Sequence, residues 1–151
     1  MPKVFISYSA KDSEVACQLY SFLQMAGAEP FLAEIDLAPG VKWKDEILDA
    51  LRNSLWVFFL ATPNSCPSQA VAHEIGASLV LKKKLIPLMW NVTPKQLPPW
   101  VDDTQAIDLR DSNKVVQLVK QIGETIQSDK FWTGVIVAGI IWLGFWVLAK
   151  K

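Results

Sequence analysis

Two periods of hydrophobic and polar positions alternate along residues 1–129. VFISYS (4–9) is a short apolar, β-branched and aromatic run that predicts a strand, and from Lys11 to Ala26 the residues Val15, Leu19, Phe22 and Leu23 recur at helical spacing before Gly27 ends the run. A weaker strand, interrupted by Pro30, covers about 29–33, and a loop containing Ala38-Pro39-Gly40 follows. WKDEILDALRN (43–53) places Ile47, Leu48 and Leu51 on one side of a short amphipathic helix. LWVFFLA (55–61) is apolar at every position, which predicts a central strand covered on both faces.

The pattern then repeats. A helix is predicted over 67–81, with Val71, Ile75 and Leu79 toward the sheet and Lys82-Lys83-Lys84 at the end where the helix dipole favours cations. KLIPLMW (84–90) reads as a fourth strand, the proline-rich 93–100 as irregular, AIDL (106–109) as a short fifth strand and 114–126 as a closing helix. Strands alternating with helices imply an α/β fold with a parallel, doubly wound sheet of five strands, and such sheets take ligands outside the carboxyl ends of their strands.

The last residues follow a different rule. Residues 131–149 contain no charge and are bracketed by Lys130 and by Lys150-Lys151. As a helix of 1.5 Å rise this run is about 28 Å long, close to the hydrocarbon thickness of a bilayer, so it predicts one transmembrane helix. Trp132 and Trp146 stand where interfacial aromatic belts are expected, and Gly134 and Ala138 form one small-xxx-small pair. The predicted organisation is a domain over 1–127, a linker over 128–130, the membrane helix over 131–149 and a basic tail at 150–151. With no export signal at the start of the sequence, the domain is expected in the cytoplasm and the protein as single-pass.

Charge sharpens this division. Fifteen basic and fifteen acidic residues cancel over the chain, but Lys130, Lys150 and Lys151 belong to the apolar end, which leaves twelve bases against fifteen acids (12 − 15 = −3) on residues 1–129. A mildly acidic module is not the electrostatic footprint of a nucleic-acid binder. Cys17 and Cys66 have no CxxC spacing and His73 is the sole histidine, so neither a disulfide framework nor a metal site is expected, and no cofactor is implied. The glycine-rich phosphate loops, HExxH and GxSxG are absent.

Four segments, VFISYSAKD, FLAEIDLAPGVKWKDEILDAL, SLWVFFLATPNS and SQAVAHEIGASLVLKKKLIPLMW, occur in the order and spacing seen in Toll/interleukin-1 receptor (TIR) domains, especially bacterial ones. The resemblance covers about residues 1–127 and implies a flavodoxin-like fold. It also implies self-association through the loop after the second strand, here about Glu34–Trp43 with Ala38, Pro39, Gly40 and Trp43. Many members are NAD⁺ glycohydrolases or ADP-ribosyl cyclases whose catalytic glutamate lies in a WxxxE pattern preceded by serine. Glu74 and Ser68 match those positions, while Ala70 stands where the family usually has tryptophan. Phe31 resembles an aromatic that stacks on nicotinamide, and Ser7, Tyr8 and Ser9 stand where the pocket floor is expected.

One carboxylate suits this chemistry. Nicotinamide leaves a cationic nucleotide as a neutral group, so nothing has to protonate it, and the positive charge that builds on the ribose needs a preorganised anion beside it. The resemblance therefore predicts a membrane-anchored NAD⁺-cleaving enzyme activated by self-association, of the kind used in prokaryotic antiphage defence or cell death, with NAD⁺ as substrate. The alternative is a non-catalytic TIR scaffold assembled at the membrane, which Ala70 favours. Each residue also has a plain structural reading: Glu74 as a solvated helix residue, His73 as a surface residue, Phe31 as core and Ser68 as a helix cap.

Overall fold

The computed structural model describes residues 3–25, 28–32, 43–99, 101 and 106–111. Five strands, β1 (Lys3–Ser7), β2 (Glu29–Phe31), β3 (Trp56–Ala61), β4 (Lys84–Met89) and β5 (Ile107–Asp108), form one sheet in the order β2-β1-β3-β4-β5, with every neighbouring pair parallel. Three helices, α1 (Ser13–Met25), α2 (Trp43–Asn53) and α3 (Gln69–Val80), and two 3₁₀ turns, Ala10–Asp12 and Pro94–Gln96, complete the described chain. This is the flavodoxin-like order, in which the direction of winding reverses between β1 and β3.

The alternation of side chains along each strand sorts the core into two layers. Val4 and Ile6 of β1, Phe58 and Leu60 of β3 and Ile86 and Leu88 of β4 pack against Val15, Ala16, Leu19 and Leu23 of α1. Phe5 and Val57 face the other way, against Leu51 of α2, while Phe59 and Ala61 meet Val71 and Ile75 of α3. All six residues of β3 are buried, as expected for a strand covered on both sides. Each fully buried side chain of this size stabilises the fold by about 1.5–3 kcal/mol.

Several boundaries differ from the sequence reading. The first helix opens as the 3₁₀ turn Ala10–Asp12, which Ser9 caps by accepting from the Lys11 N–H, and only then becomes α1. Strand β2 stops at Phe31; Pro30 is accommodated because β2 is an edge strand, where a missing N–H costs no ladder bond on the outer side. Helix α3 begins at Gln69, after Ser68. Leu79 does not face the sheet but is 42% exposed, and the buried stripe runs Val71, Ile75, Ser78 instead. Ser78 fits this third turn because its hydroxyl donates back to the Ile75 carbonyl at 2.6 Å, leaving no polar atom unmatched.

Gly27, residue 33 of the second predicted strand, Ala38, Pro39, Gly40, the predicted helix 114–126, the linker 128–130 and the span 131–149 lie outside the described residues. Among the described residues no helix is long and apolar enough to cross a membrane.

Candidate active site

The reversal between β1 and β3 opens a crevice at their carboxyl ends, and the polar residues of the fold collect there. Ser7, last residue of β1, lies on the same side of the sheet as Phe5 because strand side chains alternate, so it faces α2 and α3 and is completely buried. Glu74, in the second turn of α3, flanks the buried stripe and turns its carboxyl group inward. The Ser7 hydroxyl donates to Glu74 Oε2 at 2.6 Å, joining residues 67 positions apart.

Burial makes ionisation of Glu74 costly. It pushes the carboxyl pKa up from 4.5 to about 7, and donation from Ser7, which favours the anion, opposes that rise without cancelling it. Near neutrality the group is thus divided between acid and carboxylate, a state typical of functional clefts.

Beside Glu74 lies a cavity of about 310 Å³ between α2 and α3, lined by Lys44, Ile47, Leu48, Leu51, Ala70, His73, Glu74 and Ala77. Its walls are mostly aliphatic, with Lys44, His73 and Glu74 as the polar groups, and its volume is at the lower end of the usual range for small-molecule sites, about 300–1,000 Å³. Ala70 is exposed on this cavity, so a tryptophan there would project into the space that alanine leaves open. A larger cavity of about 540 Å³ lies at the opposite end of the sheet, bordered by Lys3, Tyr20, Glu29 and Phe31. Size alone does not choose the site; the perturbed carboxyl group does.

A second polar cluster fixes α3 in place. Asp12 accepts from Thr62 Oγ1 at 2.5 Å and from Asn64 Nδ2 at 3.1 Å, while Ser65 accepts from the Thr62 N–H at 2.8 Å and donates to the Leu60 carbonyl at 2.6 Å. These bonds tie the loop after β3 to the start of α1. Ser68 then accepts from the Val71 N–H at 3.3 Å and caps α3. Both oxygens of Asp12 are occupied, which makes it a brace for the loop.

The residues named from sequence do not all meet. Ser7 and Glu74 do. Tyr8 packs into the apolar layer on the α1 side of the sheet, Ser9 caps the 3₁₀ turn, and Ser68 serves as a helix cap. Phe31 stacks on Phe5, with ring centroids 5.3 Å apart and planes 18° from parallel, and borders the larger cavity, not the one beside Glu74. Sequence reasoning missed the contribution of α2 and the bracing role of Asp12. A signal for the first existed in Leu48, which extends the apolar side of α2 yet is 36% exposed, at the edge of the cavity. His73, read as a surface residue, is exposed and also borders the cavity.

Comparison with known proteins agrees with this geometry. A family profile described as TIR domain matches residues 4–122. The chain is 26% identical over 128 residues to a probable 2′ cyclic ADP-D-ribose synthase, BdTIR, from Brachypodium distachyon, covering 82% of this chain and 57% of that relative's length. Among solved structures it resembles the TIR domain of the Toll-related receptor TRR-2 from Hydra magnipapillata, with a TM-score of 0.68, 23% identity and coverage of 83% of this chain and 98% of that one. It also resembles a metazoan TIR-STING receptor from C. gigas, with a TM-score of 0.62, 22% identity and coverage of 91% of this chain and 39% of that one. With the strand order, the carboxyl-end crevice and a profile match over most of its length, the chain belongs to the TIR domain family.

Proposed function

We propose that this TIR domain cleaves the bond between nicotinamide and ribose in NAD⁺, with Glu74 as the catalytic carboxylate. The observation that carries the proposal is the Ser7–Glu74 pair at the border of the α2–α3 cavity: a half-buried acid, held by a buried hydroxyl, beside a space bounded by aliphatic groups. The nicotinamide ring enters with a positive charge, which favours the carboxylate over the acid and draws the Glu74 pKa back down when substrate binds. As the glycosidic bond lengthens, positive charge moves onto the ribose. A carboxylate already fixed by Ser7 then stabilises that charge without reorganising. The leaving group is neutral and needs no proton; water, or a hydroxyl of the same nucleotide when the product is cyclic, bonds to the ribose carbon in its place and releases its proton to solvent.

The similarity to a plant protein described as a cyclic ADP-ribose synthase supports this reaction class, and it extends the proposal to a cyclised product. The rest of the proposal is carried by sequence. Self-association through the loop of Ala38, Pro39, Gly40 and Trp43 raises activity, the apolar run 131–149 tethers the domain to a membrane with the domain on the cytoplasmic side, and the protein acts as an immune or cell-death effector. Tethering raises effective concentration and so populates an association too weak in solution.

The test is nicotinamide release from NAD⁺ by the full chain in lipid, with the wild type set against Glu74→Gln. The variant is expected to lose activity by about 10²–10³-fold. Equal release from both removes Glu74 from the reaction. Intact NAD⁺ in the presence of assembled wild type leaves the scaffold reading, and chromatography of the product separates linear from cyclic ADP-ribose.

A further inference from the structure

The amino ends of the strands form a surface quite unlike the crevice. Lys3 begins β1 and Lys84 begins β4, and the Leu55 N–H donates to the Lys3 carbonyl at 2.8 Å, so these residues share one end of the sheet. Helices α2 and α3 finish at the same end. The Lys83 ammonium donates to the Arg52 carbonyl at 2.7 Å, and the Lys84 ammonium sits 4.7 Å from the centre of the Trp56 ring. Among the described residues Lys3, Arg52, Lys82, Lys83 and Lys84 stand here against Glu29 and Asp49, and Asp49 is paired to Arg52 at 3.4 Å. Between the cations, three aliphatic side chains face water: Leu55 is 52% exposed, Leu79 42% and Val80 82%.

Cations interleaved with protruding aliphatic groups match one kind of partner. Phosphate-bearing headgroups neutralise the ammonium groups, and the acyl boundary just beneath them takes the aliphatic side chains. Nucleic acid satisfies only the first requirement. The chain beyond the described residues adds to this choice, because 131–149 is a long uncharged apolar run.

We propose that the amino end of the sheet docks on an anionic phospholipid bilayer, with Lys3, Lys82 and Lys84 at headgroup phosphates and Leu55, Leu79 and Val80 entering the interface. This orientation points the Glu74 crevice away from the lipid. The proposal does not depend on NAD⁺ cleavage, since its test reads geometry alone.

Full-length protein is mixed with vesicles of phosphatidylcholine, or of phosphatidylcholine with about one-third phosphatidylserine, and lysine acetylation rates are mapped by mass spectrometry. On anionic vesicles Lys3, Lys82 and Lys84 are expected to react about fivefold more slowly than in lipid-free protein, while Lys11, Lys44 and Lys95, at the other end of the sheet, keep their rates. At about 0.5 M salt the protection fades. In the double variant Val80→Ser with Lys82→Asn, protection of Lys3 and Lys84 falls; asparagine tolerates the left-handed backbone at position 82 (φ 56°), and unchanged rates at Lys11, Lys44 and Lys95 report an intact fold. Equal protection at both ends, equal protection on neutral vesicles, protection by duplex DNA as strong as by anionic lipid, or an unaffected double variant would each overturn the proposal.

Discussion

The two ends of this parallel sheet have the same backbone and opposite chemistry. At the carboxyl ends, Asp12, Glu14, Asp45, Glu46, Asp108 and Asp111 gather against Lys11, Lys44, Lys95 and Arg110, and polar side chains are drawn inside: Ser7, Asp12, Thr62 and Ser65 are all buried. Among the described residues at the amino ends cations prevail, and Leu55, Leu79 and Val80 are turned outward. The difference follows from topology. In a parallel α/β fold each loop after a strand opens at the carboxyl end, where chains of different origin meet and must satisfy one another's polar groups. The amino ends receive helix C-termini, whose carbonyl groups favour cations. One end therefore gathers buried polar groups, the other cations and outward aliphatic side chains.

The largest effect is expected at Glu74, where the loss of activity proposed for Glu74→Gln is accompanied by a gain in stability. The sign follows from proton uptake. With a folded pKa of about 7 against an ordinary 4.5, the folded chain holds a proton that the unfolded chain has released, so stability declines as pH rises from about 4.5 to about 7 and is level above that. Glutamine keeps the shape without the ionisation. Glu74→Gln should therefore be more stable than wild type at pH 8, by up to about 3 kcal/mol in chemical denaturation, and nearly equal to it at pH 4.5. A variant less stable than wild type at pH 8 would show the carboxylate to be a favourable part of the fold.

Next in size is the loop brace. Thr62→Val keeps the volume of the side chain but leaves the buried Asp12 carboxylate and the N–H groups of Asn64 and Ser65 without their Thr62 Oγ1 partner, a loss of about 1–3 kcal/mol in chemical denaturation. Activity should fall as well, because the loop holds the start of α3. Unchanged denaturation would remove the brace from the account of the site.

Ser7→Ala sharpens the picture at the crevice itself. The hydroxyl lowers the Glu74 pKa, so its removal moves the acid limb of the pH–rate profile upward, with activity reduced at pH 7 and largely recovered at higher pH. A uniform loss at all pH values would point to positioning alone. The smallest effect belongs to the other end: Leu55→Ser, at an exposed position, should change stability by less than about 0.5 kcal/mol and leave NAD⁺ turnover in solution untouched.

The frame of the fold was legible because it rests on period. Strand β3 announces itself by seven apolar residues in succession, and α1 by Val15, Leu19 and Leu23, which are buried as their spacing predicts. The site was only half legible. A family pattern located Glu74, but no rule of spacing joins it to Ser7, 67 positions away; the pair exists because β1 and α3 meet across the sheet. Leu79 illustrates the reverse error. Hydrophobicity placed it inward, yet the turn is filled by buried Ser78, whose hydroxyl is satisfied by its own helix. Ser68 and Phe31 also cap α3 and stack on Phe5, and the stacking partner, 26 positions away, has no signature in spacing.

Position 70 separates architecture from recognition. Its methyl group rests on the solvent side of α3, outside the stripe that glues this helix to the sheet, so the scaffold is indifferent to what is placed there. Exchange of alanine for an indole would leave the framework as it is and reshape only the vestibule that an incoming molecule encounters. A single codon can thus alter the mouth of this cavity while foldedness stays constant.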